Sequence, residues 1–491
     1  MASRLSALAT KVVTVAMGAT LLAACSGAGS SPAARSTPLG GRAAGPAAVF
    51  SGPVTGGKGI NLLTPGKPQS TPDLAESEYF ASGTAASYTA DATPESGDWS
   101  LHPDTKASYR TRIVVRLPKD PKRFNGTVVL EWLNVSAGSD TDPDYAYAAA
   151  ELDRSGYAWV GVSAQQAGIE GSKLGDIASQ LLPGVHVSGL RRADPARYSS
   201  LHHPGDAFSY DMFTQVARAL RSPGKVDVLD GLRPRRMIAI GESQSAARLT
   251  TYVNGVQPLT HEFDGFFIHS RGGGAAPLSG SGDTGTIVDG AYRLRPDAGV
   301  PVLVVETESD LSVLRYDQAE QPDSGDVHVW EVAGTSHADA FVAGPALQEL
   351  HCDPRINAGP QEFVVRAAIS GLETWVRTGK APASAPRLDH DGPVLHRDAL
   401  GIAIGGVRTP PVDVPVAVQS GEAAPGSQAL CTLFGSSRAL GAARLKSLYG
   451  TKAQYLQRFS GATRQAVSAG YVLPADEAAL AAQAQAVDFP S

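Results

Sequence analysis

The stretch MIAIGESQSAARLTTYVNG, residues 237–255, changes its period within a few residues. Met237 to Ile240 form a short apolar run that reads as a buried strand, and a helical pattern begins directly after Ser243. In a sheet of parallel strands, functional groups collect at the carboxyl ends of the strands. A strand that turns into a helix at such an end lifts the side chain at the corner clear of the backbone. A serine there, between small residues, has the placement of an activated nucleophile. The pattern Gly241-Glu242-Ser243-Gln244-Ser245 keeps the first small residue as glycine and replaces the second by serine. The competing reading is a serine that only caps a helix.

The flanking sequence supplies the sheet that this corner requires. RIVVRL (112–117), TVVLEWL (127–133), YAWVGVS (157–163), RMIAIG (236–241), FDGFFIHS (263–270), VPVLVVE (300–306) and DVHVWEV (326–332) are short runs of strand type. Helical patterns at 145–156, 206–222 and 362–379 lie between or after them. Strands apolar throughout, alternating with helices, indicate an α/β fold with a mostly parallel sheet covered on both faces. Residues 164–204 show no clear period and read as an inserted cap or loop region. Residues 380–491 carry further helical patterns and read as an extension packed on the 51–379 core.

A serine nucleophile needs a base, and the base needs an orienting acid. In VPVLVVETESDLS (300–312) a strand is followed by Glu306, Glu308 and Asp310; in VWEVAGTSHADAF (329–341) a strand is followed by His337. Acid and histidine thus each follow a strand, in the chain order that a strand–turn–helix serine requires. Asp310, beyond the strand tip, is the expected acid, with Glu308 and Glu306 as alternatives. The oxyanion donors are expected to be the N–H of Gln244, at the helix start, and that of Asn134 or Val135, after the strand VVLEWL. Arg271, in SRGGGAAPL (270–278), is a possible substrate contact. No cofactor is expected, and no metal: His202-His203 and His390-Asp391 with His396 lack a convincing ligand pattern.

Composition limits the partners. The 491 residues are 42% hydrophobic and 18% charged with a formal charge of −6, an ordinary globular balance without a basic face for nucleic acid. Arg4 and Lys11 precede and flank the apolar segment VVTVAMGATLL, which ends in Leu22-Ala23-Ala24-Cys25. Residues 1–25 resemble a bacterial lipoprotein signal with its lipobox, which implies lipidation of Cys25 and anchoring at the extracytoplasmic face of the cell membrane. Residues 26–50, rich in Ala, Gly, Ser and Pro, read as a flexible tether. Export places Cys352 and Cys431 where disulfides persist, and the two are expected to pair.

Taken together, EWLNVSAGSD, HPGDAFSYDMF, AIGESQSAARLTTYVNG, GTSHAD, RTPPVDVP and CTLFGSS…LYGTKAQYLQRF resemble the bacterial α/β-hydrolase-domain family of large esterase-like proteins. The resemblance spans most of residues 50–480. It implies the α/β-hydrolase fold and a Ser/acid/His hydrolase acting on a small-molecule ester, with Ser243, Asp310 (or Glu308) and His337 as its triad. An amidase or transacylase could use the same residues. A silent ligand- or cell-wall-binding protein could use the same fold.

Overall fold

Aliphatic runs with no polar face must be covered on both sides, and that requirement organises this chain. The computed structural model describes residues 42–64, 66, 71–172, 188–280, 287–343, 355–424, 426–427 and 429–490. Nine strands form one sheet: β1 (Val49–Ser51), β2 (Leu74–Ala90), β3 (Leu101–Pro118), β4 (Thr127–Trp132), β5 (Ala158–Val162), β6 (Arg236–Glu242), β7 (Gly265–His269), β8 (Val302–Thr307) and β9 (Val327–Val332). Their order is β1-β2-β3-β5-β4-β6-β7-β8-β9. From β5 to β9 every neighbouring pair is parallel, whereas β1 to β3, and β3 on β5, are antiparallel.

Alternation along the strands splits the core in two. Val128, Leu130, Met237, Ala239, Phe266, Ile268, Val302 and Val304 face one side. There they meet Phe213 and Val216 of helix α2 (Ser209–Arg221) and Leu249 of helix α3 (Gln244–Thr251). Val129, Ile238, Ile240, Phe267, Leu303 and Val305 face the other side. Their cover is Leu152 of helix α1 (Pro143–Arg154) with Ile369 and Leu372 of helix α5 (Gln361–Thr378). A one-turn helix α4 (Glu308–Ser312) follows β8 directly. Helices α6 (Lys452–Ala469) and α7 (Glu477–Gln485) belong to the C-terminal extension. Asp476, just before α7, takes Nη1 and Nη2 of Arg154 on α1 at 2.6 and 3.0 Å.

The long β2–β3 hairpin was not expected. RIVVRL is only the apolar end of β3, which runs for 18 residues. The first half of β3 is mostly exposed, so it lacks the apolar signature by which the other strands were read. Pro103 sits in it next to a register shift between Ala86 and Tyr88, where a missing N–H is tolerated. The hairpin also holds the described part of the 164–204 segment. Residues 173–187 of that segment lie outside the described residues. Glu78, buried in β2, accepts from Arg197 Nε at 2.6 Å and Tyr198 Oη at 2.9 Å, with Arg112 Nη1 at 3.6 Å.

Removing one partner of such a buried ion cluster strands the remaining charges. Glu78→Ala is therefore expected to destabilise the fold by about 3–5 kcal/mol, measured by denaturant unfolding; a loss under about 1 kcal/mol would show the cluster to be dispensable.

Candidate functional site

The close passage of β6 and α3 shapes the corner between them. A Cβ placed on Gly241 would lie 3.0 Å from Ser245 Cβ and 3.1 Å from its carbonyl carbon and oxygen. Glycine at 241 is thus what admits a serine at 245, the position where the elbow pattern departs from its second glycine. Ser243 adopts φ 58°, ψ −118°, a positive φ that residues with a side chain avoid. Its N–H donates to the carbonyl of His269 at the end of β7 (2.9 Å), and its carbonyl accepts the N–H of Ala247 (3.1 Å). The strained corner is thereby pinned from sheet and helix alike.

Three chain segments converge on the Ser243 side chain. Oγ lies 2.8 Å from His337 Nε2, and His337 Nδ1 lies 2.7 Å from Asp310 Oδ1. Asp310 Oδ2 accepts the Thr307 N–H and hydroxyl, each at 2.7 Å, at the start of α4. The His337 N–H donates to Ser309 Oγ at 2.7 Å, which fastens the histidine loop to the acid's own helix. Burial favours the neutral imidazole of His337. The bond to Asp310 and the charges of Asp310 and Glu242 outweigh it and raise the pKa above the usual histidine value.

Of the three candidate acids, Asp310 is the one bonded to His337. Glu308 turns away: it accepts the N–H groups of Gly334 (2.6 Å) and Gly421 (2.9 Å) and Arg397 Nη2 (2.9 Å). Glu306 is fully buried and makes no bond to His337, and burial followed by the Asp310 charge pushes its carboxyl well up.

Two expectations need correction. The N–H of Asn134 donates to the Thr141 carbonyl (2.9 Å), so it is not available to an oxyanion. Its Nδ2 instead bridges the carbonyl and Oε2 of Glu242, both at 3.1 Å. Among the described residues the Val135 N–H has no such acceptor, and the Gln244 N–H opens α3, where no intrahelical acceptor exists. Arg271 is also not at a substrate surface. It is fully buried against the Tyr316 ring and donates to the carbonyls of Gly272 and Tyr292, because the chain after β7 turns back over its guanidinium.

The family model for the alpha/beta hydrolase domain matches residues 50–482. The chain belongs to the alpha/beta hydrolase domain family. The hydrolase also resembles solved structures, including a Rhizomucor miehei fungal esterase (11% identity, 61% of this chain and 85% of that one, TM-score 0.32). Two others are a lidless serine hydrolase from Xanthomonas campestris (13%, 49% and 85%, 0.28) and a Klebsiella pneumoniae putative dienelactone hydrolase (10%, 61% and 99%, 0.30). Among curated proteins no sequence matches.

Three of the histidines weighed as metal ligands are engaged in protein contacts. His203 Nε2 bonds to the Ala164 carbonyl at 2.9 Å, His390 Nε2 to Glu320 at 2.7 Å, and His396 lies between Asp389 and Asp391. Among the described residues no cluster of side chains could hold a metal ion. Cys431 is buried and disulfide-bonded, while Cys352 and Cys25 lie outside the described residues. Sequence reading passed over Glu242, Thr307 and Ser309. The spacing Thr307-x-x-Asp310 is a capping-box pattern and could have singled out Asp310 over its neighbours.

Filling the Gly241–Ser245 gap would force strand and helix apart. Gly241→Val is expected to cost about 1–3 kcal/mol of stability, read by denaturant unfolding; a variant as stable as the wild type would refute the tight passage.

Proposed function

We propose that this hydrolase is a serine esterase working through an acyl-enzyme intermediate. The observation that carries the reading is the unbroken line from Ser243 Oγ to His337 (2.8 Å) to Asp310 (2.7 Å). His337 Nε2 takes the Ser243 proton as Oγ attacks the ester carbonyl. Asp310 holds the ring by Nδ1 and balances the imidazolium. The N–H groups of Gln244 and Val135 receive the negative oxygen, each such donor typically lowering the barrier by about 3–4 kcal/mol. The proton on Nε2 then goes to the departing alkoxide. Water, deprotonated by the same nitrogen, attacks the acyl carbon and releases the carboxylic acid and Ser243. An ester asks least of this set, because its carbonyl is less resonance-stabilised than an amide's and an alkoxide is a better leaving group than an amine.

The sequence ending in Cys25 supports a lipid anchor at the outer face of the membrane, with the tether carrying the enzyme away from it. Among the described residues no helix is long and apolar enough to cross a membrane.

A fluorophosphonate probe is expected to form one adduct, mapped by mass spectrometry to Ser243 and absent from folded Ser243→Ala; an adduct that survives the substitution would remove the nucleophile assignment. Growth with an alkynyl fatty acid is expected to label the wild type and not Cys25→Ala. An unlabelled wild type would leave no lipid anchor.

A further inference from the structure

Glu242 has no part in the scheme above, yet it stands beside the atom that moves the proton. Its Oε1 lies 3.6 Å from His337 Nε2, the nitrogen facing Ser243. Its Oε2 and backbone carbonyl both accept from Asn134 Nδ2. The residue is 8% exposed. A side chain of this length could reach water from the end of a strand. Here it is folded back and tied down at one oxygen, which leaves the other directed at the imidazole.

We propose that Glu242 is a second carboxylate for the histidine: it holds the imidazolium through charge at Nε2 and fixes the Val135 loop against the elbow through Asn134. The inference rests on the triad reading. When Nε2 takes the Ser243 proton, the cation then lies between two carboxylates, Asp310 bonded at Nδ1 and Glu242 near Nε2. Opposite charges within about 4–6 Å favour the charged form of each group, so the attraction is felt most where the imidazolium forms. The same side chain orders the loop that carries one oxyanion donor. Acid–base and oxyanion geometry are thereby joined through one residue adjacent to the nucleophile.

The groups facing Glu242 come from four elements. They are His337 after β9, His269 on β7, Asp144 and Tyr147 on α1, and Asp310 on α4. Burial raises its carboxyl first, the two histidines oppose that, and Asp144 and Asp310 add to it, so that it titrates at about 7. Each histidine has a carboxylate at Nδ1, but Nε2 of His269 is taken by Gln361 while Nε2 of His337 lies 3.6 Å from Glu242, and His337 exerts the larger effect on that carboxyl. Glu242 therefore carries its charge above about pH 7.

The test is the pH profile of kcat/KM on p-nitrophenyl butyrate for the wild type and Glu242→Gln, which keeps an acceptor for Asn134 and removes the charge. Activity needs neutral His337, so the wild-type acid limb is expected above pH 6.5, the ordinary histidine value. In Glu242→Gln the limb is expected to move down by about one pH unit, with kcat about tenfold lower and KM within about twofold. A limb that stays in place would overturn the inference even if kcat falls, since a merely structural role lowers activity without moving the limb. Should Glu242→Gln not fold, Glu242→Asp retains the charge one methylene further back and is expected to shift the limb by part of that amount; no shift would again overturn it. A wild type inert to both ester and fluorophosphonate would fell the triad and this inference together. A labelled wild type with an unmoved limb would fell this inference alone.

Discussion

The backbone of Ser243 is the constraint on which the site depends. A residue with a side chain held at φ 58°, ψ −118° carries strain on the order of 1–3 kcal/mol, and it persists only where its surroundings over-determine it. Those surroundings can be named. β6 is central in the sheet, bonded to β4 on one side and β7 on the other. The His269 carbonyl holds the Ser243 N–H, and α3 starts in the next residue. Gly241 lets the helix come close enough for both to hold at once. A looser corner would relax toward ordinary dihedrals and swing Oγ away from His337.

Behind this corner lies a layer of buried ionisable groups, and it is ordered by hydrogen bonding as much as by charge. His269 and Asp144 form a fully buried pair, with Gln361 on the other ring nitrogen. Glu131 accepts the N–H groups of Asp144 and Tyr145 and the Trp159 indole, which sets the start of α1 against the sheet. Asp339 accepts the Tyr147 hydroxyl. Burial pushes Asp339 up to about 7 and Glu362 to about 8. Such groups are expensive to bury and are tolerated where partners are fixed. The electrostatic surroundings of His337 and Glu242 are therefore set by rigid neighbours.

How much of this was legible in the sequence followed from physical contrast. The parallel strands announced themselves because a strand covered on both faces must be apolar at every position, as Val128 to Leu130 and Val302 to Val305 are. The serine corner, the acid and the histidine were legible because each follows such a strand. The β2 strand was not, because its Ala, Ser, Gly and Thr residues give little contrast between its faces. The choice among Glu306, Glu308 and Asp310 turned on one helical turn after β8, which carries Asp310 back toward its own cap and Glu308 toward Gly334 and Gly421. The fate of the Asn134 N–H depended on Thr141, seven residues on, a contact that no periodicity encodes.

The C-terminal extension adds a step that strand order alone would not require. His337 sits on a loop, and a loop left to itself would sample many positions for its imidazole. Glu308 clamps that loop at Gly334 while its other oxygen takes Gly421 and Arg397 from the extension. Asn357 repeats the bridge, donating to the carbonyls of Gly334 (3.0 Å) and Ser420 (2.9 Å). The Ala338 N–H donates to the Leu433 carbonyl at 3.0 Å. The loop is thus held on both sides of His337 by residues beyond 355, and Glu308, two residues before Asp310 on the same helical turn, transmits that hold to the acid. Catalytic geometry of about half an ångström needs such support. The extension therefore belongs to the framework of the site, consistent with a family match that continues to residue 482 instead of ending with the last strand.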